Sequence, residues 1–272
     1  MKRAVLRSIR RSGLLELADR ARYWVRRAQT GSVNRRFREA NPGFMVPPED
    51  LAFDALNYVT WEIYRSQGLR HARVFARLIE ERAPAGPLEV LEWGCGPGRL
   101  IRHMPTLLGP RARVTGSDYN ERSIAWCAAN LAPIRFVTNG LMPPLPFEEG
   151  SFDAVYSFSV LTHLSEAAQL AWAQELRRVL KPGGTLVCTT QGERFRFLLA
   201  DEGEVRRYEA GQVVVQGNYR EGRKWFLAIH PERWVRETLL QGYEDVAVDL
   251  RTHEPDLRQD IWTARKPAPP AP

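Results

Sequence analysis

The stretch "VLEWGCGPGRL", residues 90–100, decides the fold of this chain. An apolar run ends in three glycines, Gly94, Gly96 and Gly98, which stand on alternate positions. A strand that breaks into a glycine turn and then a helix is typical of open α/β sheets, where the turn lets backbone amides approach a nucleotide-type ligand. Two ligands fit such a turn, a nicotinamide or flavin dinucleotide and S-adenosylmethionine (SAM).

Strand and helix patterns alternate on both sides of this stretch. Strands are predicted at 88–93, 112–118, 133–137, 152–158, 184–190, 243–250 and 259–265, and helices at 98–108, 120–131, 165–180 and 231–241. This alternation predicts a Rossmann-like, mostly parallel seven-stranded sheet with helices on both faces. Residues 191–229 interrupt it with a polar segment, which we predict to be a strand-rich lid insertion.

The residues before the sheet predict a helical arm and cap. Apolar residues recur at helical spacing from Val5 to Val25, and "NPGFMVPPED" (41–50) then interrupts the pattern. Residues 49–83 predict two helices broken near Gly68. We therefore divide the chain into an N-terminal arm and cap, residues 1–84, and a sheet domain, residues 85–268.

Positive charge is concentrated in the arm. Residues 1–40 carry twelve Lys and Arg and three acidic residues, whereas the whole chain has a net charge of +7. An amphipathic basic helix of this kind packs on its own body or a second copy of the chain, or else lies on an anionic membrane at the inner face. Packing is favoured, because Glu16 and Asp19 interrupt the basic face.

Composition excludes several classes of protein. Cys95, Cys127 and Cys188 are too few and too widely spaced for a disulfide framework or a zinc site, which favours a reducing cytoplasm. No run reaches the roughly 18 apolar residues of a membrane span, and the N-terminus lacks a signal-peptide core. Asp, Glu and His show no ligand spacing, so no metal is expected.

Three further features separate the two candidate ligands. The dinucleotide fingerprint G-x-G-x-x-G has Arg99 at its third glycine position, which favours SAM. Asp118 ends the second strand, where a carboxylate accepts ribose hydroxyls in either class. Farther on stand "GSFDAVYSFSVLTHL" (150–164) and "LKPGGTLV" (180–187). With "LEWGCGPG" and "GSDYN", these four motifs resemble, in order and spacing, those of the class I SAM-dependent methyltransferases.

The resemblance covers residues 88–190 and, more loosely, the last two strands, and it implies a set of cofactor contacts. Glu92 and the turn would hold the methionine end of SAM, Asp118 the ribose, Tyr119 a face of the adenine, and Asn139 with Gly140 its edge. Many family members have Asp where this chain has Asn139. The implied cofactor-binding residues are Glu92, Gly94, Cys95, Gly96, Gly98, Asp118, Tyr119, Asn139, Gly140 and Ser159, and the product would be S-adenosylhomocysteine.

The candidate residues on the side of the methyl acceptor begin near the end of the fourth strand. His163 follows that strand and is the candidate base, with a helix-start histidine bonded to local backbone as the alternative. Candidate acceptor contacts are Tyr58, Trp61, Tyr64, Gln191 and His230. The resemblance implies O-methylation of a polar small-molecule or glycan hydroxyl. An N-methyl acceptor in a natural product is the alternative within the class.

Two other classes of function compete. The basic arm alone is compatible with a protein that binds or modifies nucleic acid, but it lacks interleaved stacking aromatics, and no "NPPY"-type tetrapeptide ends the fourth strand. A SAM-binding scaffold without catalysis is the other class. Both are disfavoured against a methyltransferase, and no nucleic-acid partner is expected.

Overall fold

The computed structural model describes residues 15–57, 60–217, 219–249 and 256–269. It contains a seven-stranded sheet in the order β3-β2-β1-β4-β5-β9-β8. The strands are β1 (Leu88–Trp93), β2 (Ala112–Asp118), β3 (Arg135–Thr138), β4 (Phe152–Ser157), β5 (Leu180–Thr190), β8 (Glu244–Asp249) and β9 (Asp260–Arg265). The first five pair in parallel, and β9 runs antiparallel to both β5 and β8. The predicted mostly parallel seven-stranded sheet is confirmed.

Helices cover both faces of the sheet. They are α1 (Leu15–Ala40), α2 (Glu49–Leu56), α3 (Trp61–Glu80), α4 (Met104–Leu108), α5 (Glu121–Asn130), α6 (Glu166–Val179), α7 (Glu202–Glu209) and α8 (Glu232–Trp234). Side chains of α3, α4 and α5 pack on one face around Val90 and Tyr156. Those of α6 pack on the other face around Leu91 and Trp262. The predicted helix at 231–241 divides into α8 and a π-helical turn at Val235–Leu239.

Helix α2 ends at Leu56 and α3 begins at Trp61, so the cap does not divide near Gly68 as the sequence predicted. Asn57 ends α2 in the left-handed conformation, with φ of 62°. Gly68 lies inside α3, where a Cβ would stand 2.6 Å from the Arg99 carbonyl oxygen. The glycine therefore allows a close approach between α3 and the glycine turn, and it does not interrupt the helix.

The predicted strand-rich character of residues 191–229 is wrong. The segment contains a 3-10 turn at Glu193–Leu198, helix α7, and one short antiparallel pair, β6 (Val214–Gln216) with β7 (Leu227–Ile229). Asp201 caps α7 by accepting the Glu204 amide at 3.0 Å. The Asp-x-x-Glu pattern that marks this helix start was the sequence signal for it.

Helix α1 turns a different side toward the body than its apolar pattern predicted. Phe37 and Asn34 are buried, and the Asn34 Oδ1 accepts the Trp61 amide at 3.0 Å. Leu17, Trp24 and Val25 are instead 63%, 59% and 55% exposed. Packing on the body of the same chain is therefore wrong for these three, whereas packing on a second copy of the chain stays a prediction. Leu6, Ile9 and Leu14 lie outside the described residues.

No helix in the described ranges combines the length and the apolar character that a membrane span needs.

Candidate active site

A cavity lies at the carboxyl ends of the parallel strands, between the sheet, α2 and the loop before β7. Its walls come from the segments that follow β1, β2, β3 and β4, together with Leu51 to Leu56 of α2 and Gly222 to Lys224. We call residues 219–226 the lid loop. Ligands of open α/β sheets bind at this edge because the strand order reverses there, between β1 and β4.

The glycine turn after β1 requires its glycines for two reasons. Gly94, Gly96 and Gly98 all have positive φ, at 76°, 50° and 77°. A Cβ on Gly94 would overlap the Val160 side chain, and one on Gly98 would stand 2.5 Å from Leu131 Cδ1. Gly94 and Gly96 line the cavity, whereas Gly98 packs behind it against the sheet domain. The turn thus brings bare backbone to the cavity wall.

Asp118 connects the turn to the next strand. Its Oδ2 accepts the Gly96 amide and its Oδ1 accepts the Asn120 amide, both at 2.8 Å. Burial raises the pKa of this carboxyl, and the two amides oppose that shift. Each oxygen retains a lone pair for a ligand hydroxyl. The sequence predicted that Asp118 contacts the ribose, but it did not predict the bonds from Asp118 to the Gly96 and Asn120 amides.

Tyr119, Asn139 and Gly140, which the sequence predicted to contact the adenine, all line the cavity. The Tyr119 hydroxyl donates to the Gly222 carbonyl at 2.9 Å. Asn139 Nδ2 donates to the Gly140 carbonyl at 2.6 Å, and its buried Oδ1 has no hydrogen-bond partner among the described residues. A buried acceptor of this kind suits an amino group, such as the one on the adenine edge.

Two buried ionisable side chains, Glu92 and Arg99, also line the cavity. Glu92 Oε2 accepts the Tyr156 hydroxyl at 2.7 Å, and burial raises the pKa of Glu92 to about 8. The Arg99 guanidinium lies 5.1 Å from the centre of the Phe158 ring, and its Nη1 is 3.2 Å from His71 Nδ1. Burial, and then Arg99, lower the pKa of His71 to about 3, so the neutral ring accepts this bond. Arg99 suits an anionic ligand group such as a carboxylate.

Arg99 is the residue that sequence reasoning missed. It counted there only as a departure from the dinucleotide fingerprint. The signal was an arginine directly after a glycine turn, which faces the ligand whenever the turn does. Arg99 is buried, with only 6% of the residue exposed, and it lines the cavity.

Ser159 holds an unusual backbone conformation at the end of β4. Its φ is 61°, in the left-handed region that costs a non-glycine residue energy. Its amide donates to Thr189 Oγ1 at 2.8 Å, and Gln259 Nε2 donates to its Oγ at 2.9 Å. Thr189 Oγ1 in turn donates to Gln259 Oε1 at 2.6 Å. This ring of hydrogen bonds supports a strained residue on the cavity wall.

His163 lines the same wall and is bonded to the lid loop. Its Nδ1 is 2.8 Å from the Phe226 carbonyl oxygen. A carbonyl only accepts, so Nδ1 carries the proton and Nε2 keeps its lone pair. Burial lowers the pKa of His163 below its ordinary value of 6.5, and the imidazole is therefore neutral at pH 7. The His163 ring therefore bonds to the distant lid loop, and not to the nearby backbone as in the alternative of a helix-start histidine.

The predicted acceptor contacts are not brought to the cavity. Trp61 and Tyr64 are buried in the helical cap with Phe37 and Phe53, and the Tyr64 hydroxyl donates to the Pro97 carbonyl at 2.7 Å. Their large apolar rings complete the core of the cap, so the prediction is wrong for both. Tyr58 lies outside the described residues.

Gln191 and His230 also lie away from the cavity. Both are buried; the His230 amide donates to the Gln191 carbonyl at 2.7 Å, and His230 Nε2 is 2.9 Å from Gln169 Oε1. They link the lid insertion to α6 beneath the sheet edge, so the acceptor-contact prediction is wrong here too. Within the described ranges, no three His, Cys, Asp or Glu side chains cluster as metal ligands would.

Fold and site together define an α/β domain that binds a nucleotide-type cofactor at the carboxyl edge of its sheet. Residues 90–184 match the family model described as a methyltransferase domain. The chain contains a class I SAM-dependent methyltransferase domain, and SAM is the cofactor of that class.

Curated relatives share this domain. A probable S-adenosylmethionine-dependent methyltransferase of Mycolicibacterium smegmatis is 35% identical over 122 residues, 44% of this chain and 44% of that protein. The demethylmenaquinone methyltransferase of Lactococcus lactis is 35% identical over 118 residues, 42% and 46% of the two chains. The chain thus spans under half the length of the curated relatives it matches.

Solved structures share the fold. A SAM-dependent methyltransferase of Methanosarcina mazei superimposes with a TM-score of 0.51 at 20% identity, over 70% of this chain and 98% of that one. A 1,6-didemethyltoxoflavin-N1-methyltransferase of Burkholderia thailandensis, solved with 1,6-didemethyltoxoflavin and S-adenosylhomocysteine, has a TM-score of 0.50 at 20% identity, over 74% and 78%. These likenesses establish the sheet architecture.

Proposed function

We propose that this protein transfers a methyl group from SAM to a hydroxyl group of a small molecule, with His163 as the general base. The observation that carries the proposal is the geometry of His163. Its Nδ1–H is held by the Phe226 carbonyl, its Nε2 is an acceptor, and its ring is neutral at pH 7 on the cavity wall. A neutral imidazole so oriented can take the proton of a hydroxyl as it attacks.

The cavity fits SAM on three observations. Gly96 lines the cavity with no heavy atom within 4 Å of the position that a Cβ would take, Arg99 offers a cation, and Asn139 Oδ1 is a buried acceptor without a protein partner among the described residues. When bound, SAM supplies an electrophilic methyl group on a sulfonium. The proposed contacts are Glu92, Gly94, Cys95, Gly96, Asp118, Tyr119, Asn139, Gly140 and Ser159, with Gly98 shaping the turn from behind.

The walls beyond these contacts favour an acceptor with an apolar body. Leu51, Ala55 and Leu56 line the cavity from α2, and Phe158 and Leu164 line it from the segment after β4. An apolar wall gains little from a bare glycan, whose hydroxyls need polar partners. We therefore favour a small hydroxylated molecule over a glycan. Analysis of the product would separate this from the N-methyl alternative.

The test has two stages. The full chain is incubated with methyl-labelled SAM and metabolite extracts, and mass spectrometry with NMR identifies the labelled product and the methylated atom. With that acceptor, His163→Ala should lower turnover by about a hundredfold or more, because the proton has no acceptor in the transition state. SAM affinity, measured by calorimetry, should stay near that of the wild type.

The role of His163 as a base also predicts how turnover depends on pH. A base must be neutral, so turnover is lost as pH falls through the pKa of His163, which lies below 6.5. The acid limb should accordingly lie below pH 6.5, with a plateau at neutral pH. His103→Gln, a half-buried histidine outside the cavity walls, is the matched control and should retain turnover. Unchanged turnover in His163→Ala would contradict the base, and absence of SAM binding would contradict the function.

We further propose that the outward side of α1 contacts an anionic membrane surface. Leu17, Trp24 and Val25 are exposed together, and the exposed arginines on this helix include Arg20 and Arg35. Apolar side chains flanked by cations on one helix suit a surface of anionic headgroups over an apolar layer. The net positive charge of residues 1–40 is complementary to that surface.

A further inference from the structure

The lid loop holds His163 at two backbone points. The Gly222 amide donates to the His163 carbonyl at 2.8 Å, and the His163 Nδ1–H donates to the Phe226 carbonyl at 2.8 Å. Because both contacts from the loop are backbone groups, the direction of the imidazole follows the path of the loop. The Phe226 carbonyl also keeps the proton on Nδ1 and leaves Nε2 as the acceptor.

Lys224 lies between these two contacts in the sequence, and a buried ion pair attaches it to α1. Its Nζ is 2.7 Å from Asp19 Oδ2, and the two side chains are 8% and 18% exposed. The ammonium also stands 4.0 Å from the centre of the Phe53 ring. The neighbouring pair of Arg223 with Asp54 has side chains that are 43% and 39% exposed, so it is screened more strongly by water.

Asp19 belongs to α1 and is itself fixed in place. Its Oδ1 accepts from Arg22 at 2.7 Å, and Arg22 also donates to Asn57 Oδ1 at 2.7 Å. Burial lowers the pKa of Lys224, and the bond to Asp19 opposes this shift. Without the carboxylate charge, the buried Lys224 ammonium would keep only the Phe53 ring and the Phe53 carbonyl, at 3.4 Å, and would have no countercharge from α1. We therefore expect the loop to move and bring the ammonium to water.

We propose that the Asp19–Lys224 ion pair positions the lid loop and, through the Phe226 carbonyl, sets the tautomer and direction of His163. Asp19 and Lys224 are positioning residues for the proton transfer, and neither touches the reacting atoms. Helix α1 thereby contributes to a site whose walls come from the sheet domain and from α2. This inference rests on the proposed role of His163 as the base.

The experiment compares the full wild-type chain with Asp19→Asn, which preserves shape and removes charge. Nitrogen-15 NMR of the histidine rings, assigned with His163→Gln, should show His163 as the Nδ1–H tautomer in the wild type and as a mixture in Asp19→Asn. The pKa of His163 should rise toward 6.5 in the variant, because water reaches the ring and relieves its burial. Hydrogen exchange of the peptide containing Gly222 should accelerate roughly tenfold or more.

Glu49→Gln is the matched control. It removes the ion pairs of Glu49 with Arg27, at 2.9 Å, and with Arg38, at 3.5 Å, which also tie α1 to the cap but do not touch the lid loop. The tautomer, the pKa and the exchange rate should match the wild type in this control. A change of the same size in Glu49→Gln would overturn the proposal, since any weakening of α1 would then suffice.

Lys224→Gln is a second variant that removes the other charge, and it keeps the test decisive should Asp19→Asn not fold. The double variant should exchange no faster than the faster single variant, because both remove one interaction. Wild-type tautomer, pKa and exchange in the single variants would overturn the proposal. These measurements need no methyl acceptor, so they test the positioning role of the ion pair by itself. The turnover of His163→Ala tests separately whether His163 is the base.

Discussion

Asp118 serves two purposes at the end of β2, and its substitution should report both. Asp118→Ala removes the acceptor of the Gly96 and Asn120 amides as well as the proposed ribose contact. A charge-assisted contact to a diol is worth about 1.5 to 3 kcal/mol, so SAM affinity should fall roughly ten- to a hundredfold. Calorimetry measures this loss, with NAD as a ligand expected to bind far more weakly to the wild type.

Asp153 offers a matched control at the same scale. Its Oδ2 accepts the Glu89 amide at 2.8 Å and the Lys181 ammonium at 2.8 Å, outside the cavity walls. Asp153→Ala should lower the melting temperature while SAM affinity stays unchanged. If the two variants lost SAM affinity equally, the role of Asp118 would be structural only.

At the scale of elements, α3 packs against the glycine turn at Gly68. Helix propensity alone would favour alanine at this position. Alanine normally stabilises a helix interior relative to glycine by about 1 kcal/mol. In Gly68→Ala the new Cβ would stand 2.6 Å from the Arg99 carbonyl oxygen. We therefore expect the opposite sign, a lower free energy of unfolding in urea and weaker SAM binding, because α3 must move away from the glycine turn.

Gly31 in α1 is the control for that sign. No heavy atom lies within 4 Å of the Cβ that Gly31→Ala would add, so this substitution should stabilise the protein by up to about 1 kcal/mol. Stabilisation by Gly68→Ala to a similar extent would show that the contact between α3 and the turn is not tight.

For the whole molecule, the asymmetry of charge predicts a salt-dependent contact between α1 and anionic membranes. The full chain should float with vesicles that contain anionic lipid, less so as salt rises, because each basic residue near the surface contributes about 1 kcal/mol that ions screen. Replacing Leu17, Trp24 and Val25 together by serine should abolish flotation. Phe197→Ser, a 58% exposed apolar residue on the lid insertion, should leave it unchanged.

Two outcomes of the flotation experiment would contradict membrane contact. The first is that the full chain does not float with anionic vesicles. The second is that it floats equally well with zwitterionic vesicles. Concentration-dependent association in sedimentation, lost in the triple serine variant, would instead assign the exposed side of α1 to a second copy of the chain.

Local patterns predicted the sheet and several of the residues that line the cavity beside the glycine turn. The seven strands, the glycine turn and Asp118 were predictable because strand periodicity and a turn that needs positive φ are properties of short segments. The place of Glu92, Tyr119 and Asn139 around the same cavity followed from the rule that parallel strands present their carboxyl ends at one edge. The division of the chain at residues 84 and 85 stays a prediction.

The sequence by itself therefore determined the class of the domain and its cofactor, while the tertiary structure alone decided what surrounds them. Trp61 and Tyr64 proved to be core, and α1 turned Phe37 inward in place of Trp24, because burial depends on which neighbours arrive from distant segments. The bond from His163 to Phe226 joins residues far apart in the chain. No local pattern encodes such a contact, since only the packing of the lid loop on the sheet creates it.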